Sequence, residues 1–228
     1  MTYSIITIYV STYPKEIIEK IKKGEIVFSP HLDTFQLQAH SVDLRLGFTF
    51  LVPKSSRMTP KGREALLIDP LAEKYDARYF DVIELEKGQY FELLPQEHVL
   101  VSSFESIKVP DDLMAVLYPR SSTNRKGMSV DLTGIIDAGY EGQLTIPVRN
   151  NTRSQVIRLY PGERFCQVVF ESLTERVTPR KSRYHQRDII EGTASEEMQE
   201  VDLIKTGEIK KLKETFPVIK GYAHDESE

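Results

Sequence analysis

The chain has 228 residues, 40% of them hydrophobic and 28% charged, with a formal net charge of −4. That length buries a sizeable core in one domain with extensions, and the mild negative charge excludes bulk attraction to nucleic acid or to an anionic membrane. No run reaches the roughly 20 apolar residues a membrane-spanning helix needs, and a single cysteine, Cys166, excludes an internal disulfide and suits a reducing cytoplasm.

In chain order, Met1–Val10 is apolar but short. It has no basic leader or small-residue cleavage site, so it reads as a strand. Tyr13–Lys23 reads as a helix: Pro14 suits a first turn, Ile17, Ile18 and Ile21 recur at helical spacing, and Gly24 ends it. From Ile26 the rhythm changes to two. Val42, Leu44, Leu46, Phe48 and Phe50 alternate with Asp43, Arg45, Gly47 and Thr49, the pattern of a half-buried strand. Ser55–Leu71 is polar and proline-containing and reads as a long loop. Short strands are then predicted at Tyr79–Leu85, Gln89–Leu93, His98–Phe104, Leu113–Tyr118, Gln143–Arg149, Gln155–Leu159 and Phe165–Leu173, punctuated by Pro and Gly. Cys166 falls in the last of these, as a small buried hydrophobe.

Many short strands with regular turn signals predict an all-β barrel or jelly roll. After about Thr178 the composition shifts. Pro179–Arg187 is basic, whereas Ala194–Glu228 is acidic and helical in propensity, with Ile204, Ile209, Leu212 and Phe216 as its apolar contacts. The expected division is a β domain over 1–192 and an acidic, partly helical tail over 193–228.

Three stretches carry chemistry. Tyr118–Gly127 follows a strand and gathers Arg120, Ser121, Ser122, Arg125 and Lys126. The cations can neutralise phosphate oxygens and the hydroxyls can donate to them; the competing reading is a solvated basic connection. Gly134–Gly142 places Asp137 where an apolar strand ends, before two glycines flanking Tyr140. In a hairpin, its tip would admit a flat ligand against Tyr140, and Asp137 would orient a water as general base. The competing reading is a plain turn that uses Asp as its turn residue. Tyr160–Gln167 is a Pro-Gly turn followed by Arg164 and Gln167, which in a regular strand would face opposite sides.

Absences narrow the chemistry. One cysteine and five histidines cannot supply the His-x-Glu and Pro-Cys-x-x-Cys set of the zinc nucleobase deaminases. A Walker phosphate loop and a Gly-x-Ser-x-Gly elbow are both missing.

Taken in order, these motifs resemble the superfamily of trimeric dUTPases and dCTP deaminases. His40-Ser-Val-Asp-Leu-Arg-Leu-Gly47, Arg120-Ser-Ser-Thr-Asn-Arg125 and Arg183-Tyr-His-Gln186 look like the deaminase branch, whereas Gly134–Leu144 and Pro161–Gln167 look like dUTPase. The resemblance implies a distorted jelly roll of the dUTPase type (a β-clip barrel) with an N-terminal helix and a helical C-terminal extension. It implies a homotrimer with sites between subunits, and magnesium carried on the triphosphate. Ser121, Ser122, Arg125, Arg183, Tyr184 and Gln186 would contact phosphates, while Thr133, Gly134 and Tyr140 would hold base and sugar. Asp137 would activate water. Arg120 would either contact phosphate or pair with an acid such as Asp43 across an interface, and Gln167 would be structural or touch substrate. One departure stands out: Pro147 occupies the position of the deaminase branch's glutamate. The expectation is therefore a dUTP diphosphatase releasing dUMP and pyrophosphate. The alternatives are a dCTP deaminase, including the dUMP-forming kind, and a nucleotide-binding homologue that has lost catalysis.

Overall fold

The computed structural model describes residues 14–68, 71, 79–130, 134–177 and 198–217. Helix α1 (Pro14–Lys22) opens this part of the chain and buries Ile17 against the β domain. The strands are β1 (Val27–Ser29), β2 (Val42–Pro53), β3 (Ser56–Thr59), β4 (Gly62–Ala65), β5 (Phe80–Glu84), β6 (Phe91–Leu93), β7 (His98–Lys108), β8 (Leu113–Pro119), β9 (Met128–Val130), β10 (Ile135–Ile136), β11 (Glu141–Asn150), β12 (Ile157–Leu159) and β13 (Arg164–Ser172). A single helical turn, α2 (Ser121–Asn124), separates β8 from β9, and α3 (Met198–Lys205) and α4 (Ile209–Thr215) form the tail.

Nine strands make one curled antiparallel sheet in the order β10-β8-β13-β2-β7-β11-β9, with β1 added to β7 and β5 to β2. Strand β2 is long enough to serve three partners: Val42–Arg45 pairs β13, Leu46–Leu51 pairs β7, and Thr49–Pro53 pairs β5. Register shifts at Leu46/Phe50, Gln143/Thr145 and Arg164/Cys166 bend the long strands, as bulges do when a sheet must curl. Gly47 lies at the first of these. A Cβ there would run into the Ser102 side chain and come within 2.9 Å of the Ser102 carbonyl oxygen, so the close approach of β2 to β7 requires glycine.

The inside of the curl is the apolar half of each alternation: Leu44, Leu46 and Phe50 of β2, Val99 and Val101 of β7, Ile146 and Val148 of β11, Phe165, Val168 and Phe170 of β13. Cys166 lies among them, fully buried, and burial pushes its thiol well above the usual range. It is the small buried hydrophobe expected of it.

The β assignment of the sequence holds, with corrections. Ser55–Leu71 is not a long loop, because β3 and β4 pair as a hairpin from Ser56↔Ala65 to Thr59↔Gly62. Its strands expose both faces, so they carry no alternation to read. In the tail, α3 and α4 contact each other, Ile209 and Phe216 remain exposed, and α4 buries no residue. The Met1–Val10 strand, the basic 179–187 segment and the boundary at 192/193 fall outside the described residues.

Candidate active site

Strand β8 delivers the serine–arginine turn. Arg120 is extended (φ −76°, ψ 135°), and the chain then closes into α2. The N–H groups of Thr123 and Asn124 donate back to the Arg120 carbonyl, and that of Arg125 to Ser121. Among the described residues nothing accepts from the N–H of Ser121 or Ser122, as the first turn of any helix leaves its amides. The side chains of Ser121, Ser122, Arg125 and Lys126 are exposed. Hydroxyls, free amides and cations thus share one outward surface, which suits a polyanion. Gly127 (φ 88°) ends the turn, with the Thr152 methyl only 2.5 Å from where a Cβ would sit.

Arg120 itself turns inward. Its Nε lies 3.0 Å from Asp43 Oδ2 and its Nη1 donates to the Arg164 carbonyl at 2.9 Å. Arg164 Nη1 meets the same Oδ2 at 3.2 Å. This pairing lies within one protomer rather than across an interface. Asp43 is 1% exposed, and burial pushes its carboxyl up against the opposing pull of Arg120 and Arg164. Gln167, directly opposite Asp43 in the ladder, accepts from the Ser41 hydroxyl at 3.3 Å. The sequence reading put Arg164 and Gln167 on opposite sides. The irregularity between Arg164 and Cys166 adds a residue, so both lie on the same partly exposed face while Phe165 and Cys166 are buried.

Asp137 sits at a corner, not at a hairpin tip. Although β10 and β11 are separated by only four residues, they do not pair: β10 joins β8, whereas β11 joins β7 and β9. The strands diverge at Asp137–Tyr140, leaving the corner open. Its turn is closed by backbone alone. Tyr140 N donates to Asp137 O at 3.1 Å, and Gly139 N donates to Val109 O at 3.1 Å and Pro110 O at 3.3 Å. An aspartate serving only the turn would accept one of those N–H groups with its side chain. Instead the Asp137 carboxylate is exposed, with no hydrogen bond or ion pair among the described residues. Tyr140 is 7% exposed and donates its hydroxyl to the Gln143 carbonyl at 2.7 Å. Burial pushes its phenol up to about 12. Gly134 abuts β8, its carbonyl accepting from Leu117 N. Thr133, Arg183, Tyr184 and Gln186 lie outside the described residues.

Pro147 faces Leu100 of β7 across the ladder, half-buried on the outer side of β11, while Ile146, Val148 and Asn150 point inward. Gln143, Thr145 and Arg149 of β11 and His98, Leu100 and Ser102 of β7 flank it on that face. None of these is a carboxylate.

Within one protomer, Asp137 and the serine–arginine turn are at opposite ends of β8. Ile136 pairs Ala115 near the start of the strand, and Arg120 follows its last residue. From the level of Met114 to Arg120 is roughly 20 Å at about 3.3 Å per strand residue.

Among the described residues, sequence reasoning missed most of the buried polar groups, and the one charged group it missed is Glu105. Glu105, 1% exposed, accepts from Gln36 Nε2 at 2.7 Å and from Arg45 N at 2.9 Å. Burial pushes its carboxyl up, and those hydrogen bonds pull it back. The signal was present, since Glu105 shares the inward phase of Val99, Val101 and Ile107. Both oxygens face N–H donors, so Glu105→Gln turns an amide donor onto a donor. Flipping Gln36 to accept it would break the Gln36 bonds with Asp33 N and Asp43 O. Glu105→Gln is expected to cost about 1–3 kcal/mol of stability by urea denaturation.

The dCTP deaminase-like family model matches residues 13–173. The chain belongs to the dCTP deaminase-like family. It is 39% identical over 171 residues to "dCTP deaminase, dUMP-forming" of Methanobrevibacter smithii, covering 75% of this chain and 82% of that protein. The identically named protein of Methanosphaera stadtmanae is 34% identical over 209 residues, 91% of this chain and 96% of its own. Among solved structures, 2'-deoxycytidine 5'-triphosphate deaminase of Agrobacterium tumefaciens superposes with a TM-score of 0.54 at 22% identity. That match covers 72% of this chain but 48% of the other, so the chain spans about half that structure's length, and the likeness speaks for the fold alone. These relatives overturn the expectation of a dUTP diphosphatase, because they are named for deamination of dCTP. The dUTPase-like look of Gly134–Leu144 misled because an acid ahead of a Gly-Tyr turn does not by itself tell a dUTPase from a dUMP-forming deaminase.

Proposed function

We propose that the protein is a dUMP-forming dCTP deaminase. Going from dCTP to dUMP takes two hydrolyses. At C4 of cytosine, one water replaces the amine and ammonia leaves. At the α-phosphorus, a second water breaks the bond to the β-phosphate and pyrophosphate leaves. The observation that carries this reading is the free Asp137 carboxylate at the open β10–β11 corner, in a chain this similar to dUMP-forming deaminases. Asp137 accepts the proton of the water attacking the α-phosphorus. Ser121, Ser122 and Arg125 hold phosphate oxygens, joined from the C-terminal segment by Arg183, Tyr184 and Gln186. Thr133, Gly134 and Tyr140 frame base and sugar.

Among the described residues no three His, Cys, Asp or Glu side chains converge on a metal position. Magnesium would be carried in by the triphosphate, whose oxygens would supply most of its ligands, as is usual at nucleotide sites. When bound, it offsets phosphate charge. The roughly 20 Å between Asp137 and the serine–arginine turn favours a site completed by another copy of the chain, in keeping with a homotrimer.

Pro147 favours a second reading, a nucleotide-binding homologue without turnover, because proline can neither take nor give a proton. Incubating the protein with dCTP or dUTP and magnesium and separating the products decides between them. Ammonia, dUMP and pyrophosphate from dCTP are expected. Tight dCTP binding without products supports the second reading. Unchanged dCTP alongside hydrolysed dUTP overturns both.

A further inference from the structure

Asp43 is a costly residue for this fold to keep. Its carboxylate is 1% exposed, one oxygen receives both Arg120 and Arg164, and the other, Oδ1, is buried with no hydrogen-bond partner among the described residues. Native interiors leave few polar atoms in that state. A buried ion pair is also weak evidence for stability, since well-packed apolar side chains can replace one at little loss. The arrangement makes sense through what it holds in place.

Three segments meet at this carboxylate. Arg120 is the residue immediately before Ser121, and its own N–H donates to the Phe165 carbonyl while its guanidinium reaches the Arg164 carbonyl. Arg164 also donates to the Phe35 carbonyl, and Arg45 ties Asp33, two residues away, to the Gly162 carbonyl. The backbone at Arg120 is therefore clamped from both sides, by main chain and by side chain, where the chain leaves β8 and exposes the Ser121 and Ser122 amides.

We infer that Asp43 is a positioning residue: through Arg120 it fixes the start of the Ser121–Lys126 turn in the geometry that receives the triphosphate. This rests on the reading of that turn as the phosphate-binding element. Asp43 and Arg120 do not touch the phosphates. They set the direction of the groups that do, and the charge of Arg120 is spent on Asp43 rather than offered to the ligand.

Two variants test this, Asp43→Asn and Arg120→Lys. The first keeps shape and removes charge. The second keeps charge but cannot hold Asp43 and the Arg164 carbonyl together. Inorganic tripolyphosphate serves as a probe independent of base chemistry. For both variants the expected result is a KM for dCTP raised on the order of 10-fold or more, with kcat within about 2-fold because binding common to ground and transition states is lost. Tripolyphosphate affinity should fall by a matching factor. The wild type must bind tripolyphosphate, and if it does not, the phosphate-turn reading itself fails. If the wild type binds it and both variants bind it equally well or more tightly, Asp43 has no positioning role. A lowered melting temperature with unchanged KM and tripolyphosphate affinity overturns the inference in the same way.

Discussion

Replacing Asp137 by asparagine is expected to change the product made from dCTP, lowering dUMP formation by about 10²–10⁴-fold, the usual cost of losing a general base. Asparagine has the same shape but does not accept a proton at neutral pH. Because the carboxylate is exposed and bonds to nothing among the described residues, stability should stay within about 0.5 kcal/mol of wild type. Deamination acts at the other end of the nucleotide, so the variant should release ammonia and accumulate dUTP. Chromatography of the reaction mixture reads this directly. Undiminished dUMP from the variant would show that Asp137 is only a turn residue after all.

The largest stability effect is expected at Phe170. It lies fully buried in β13, opposite Ala115 of β8, with the Phe28 ring edge-on to it (centroids 6.4 Å apart, interplanar angle 87°). Ala115 has no bulk to collapse into a vacated ring, so Phe170→Ala should cost about 3–5 kcal/mol in urea unfolding. Phe28→Ala removes the partner ring. A double-mutant cycle should return about 0.5–1.5 kcal/mol of coupling beyond lost area. No coupling would mean the two rings merely share a cavity.

Most of the strand content was legible because these strands are half-buried, and half-burial writes itself as alternation. The run Val42–Phe50 is the clearest case: Val42, Leu44, Leu46 and Phe50 are buried as alternation expects, but Asp43 and Gly47, expected outside, are buried too, and Phe48, within the Leu46/Phe50 register shift, is only half-buried. The features that escaped are those period two does not encode. The β3–β4 strands expose both faces. The divergence of β10 from β11 is a matter of which strand each one pairs with, and partner choice is not local. Arg164 and Gln167 were assigned sides by counting in twos, which fails wherever a register irregularity inserts a residue. The site was legible in part. Ser121, Ser122, Arg125 and Asp137 are exposed, whereas Arg120 turned out to face inward to Asp43. Nothing in the letters distinguishes an arginine reaching for phosphate from one reaching for a buried acid 77 positions earlier in the chain.

The length of β8 has a consequence for mixtures. Asp137 stands at one end of that strand and Ser122 and Arg125 beyond the other, so two damaged chains can each carry what the other lacks. Asp137→Asn alone and a Ser122→Ala/Arg125→Ala chain alone should both be nearly silent in dUMP formation. Dissociated and reassembled together, they should regain a fraction of wild-type dUMP formation set by the mixing ratio, since in the homotrimer proposed above a site draws its acid from one chain and its turn from the next. On the same proposal dilution should act in the opposite sense, with specific activity in dUMP formation falling as copies separate by mass action.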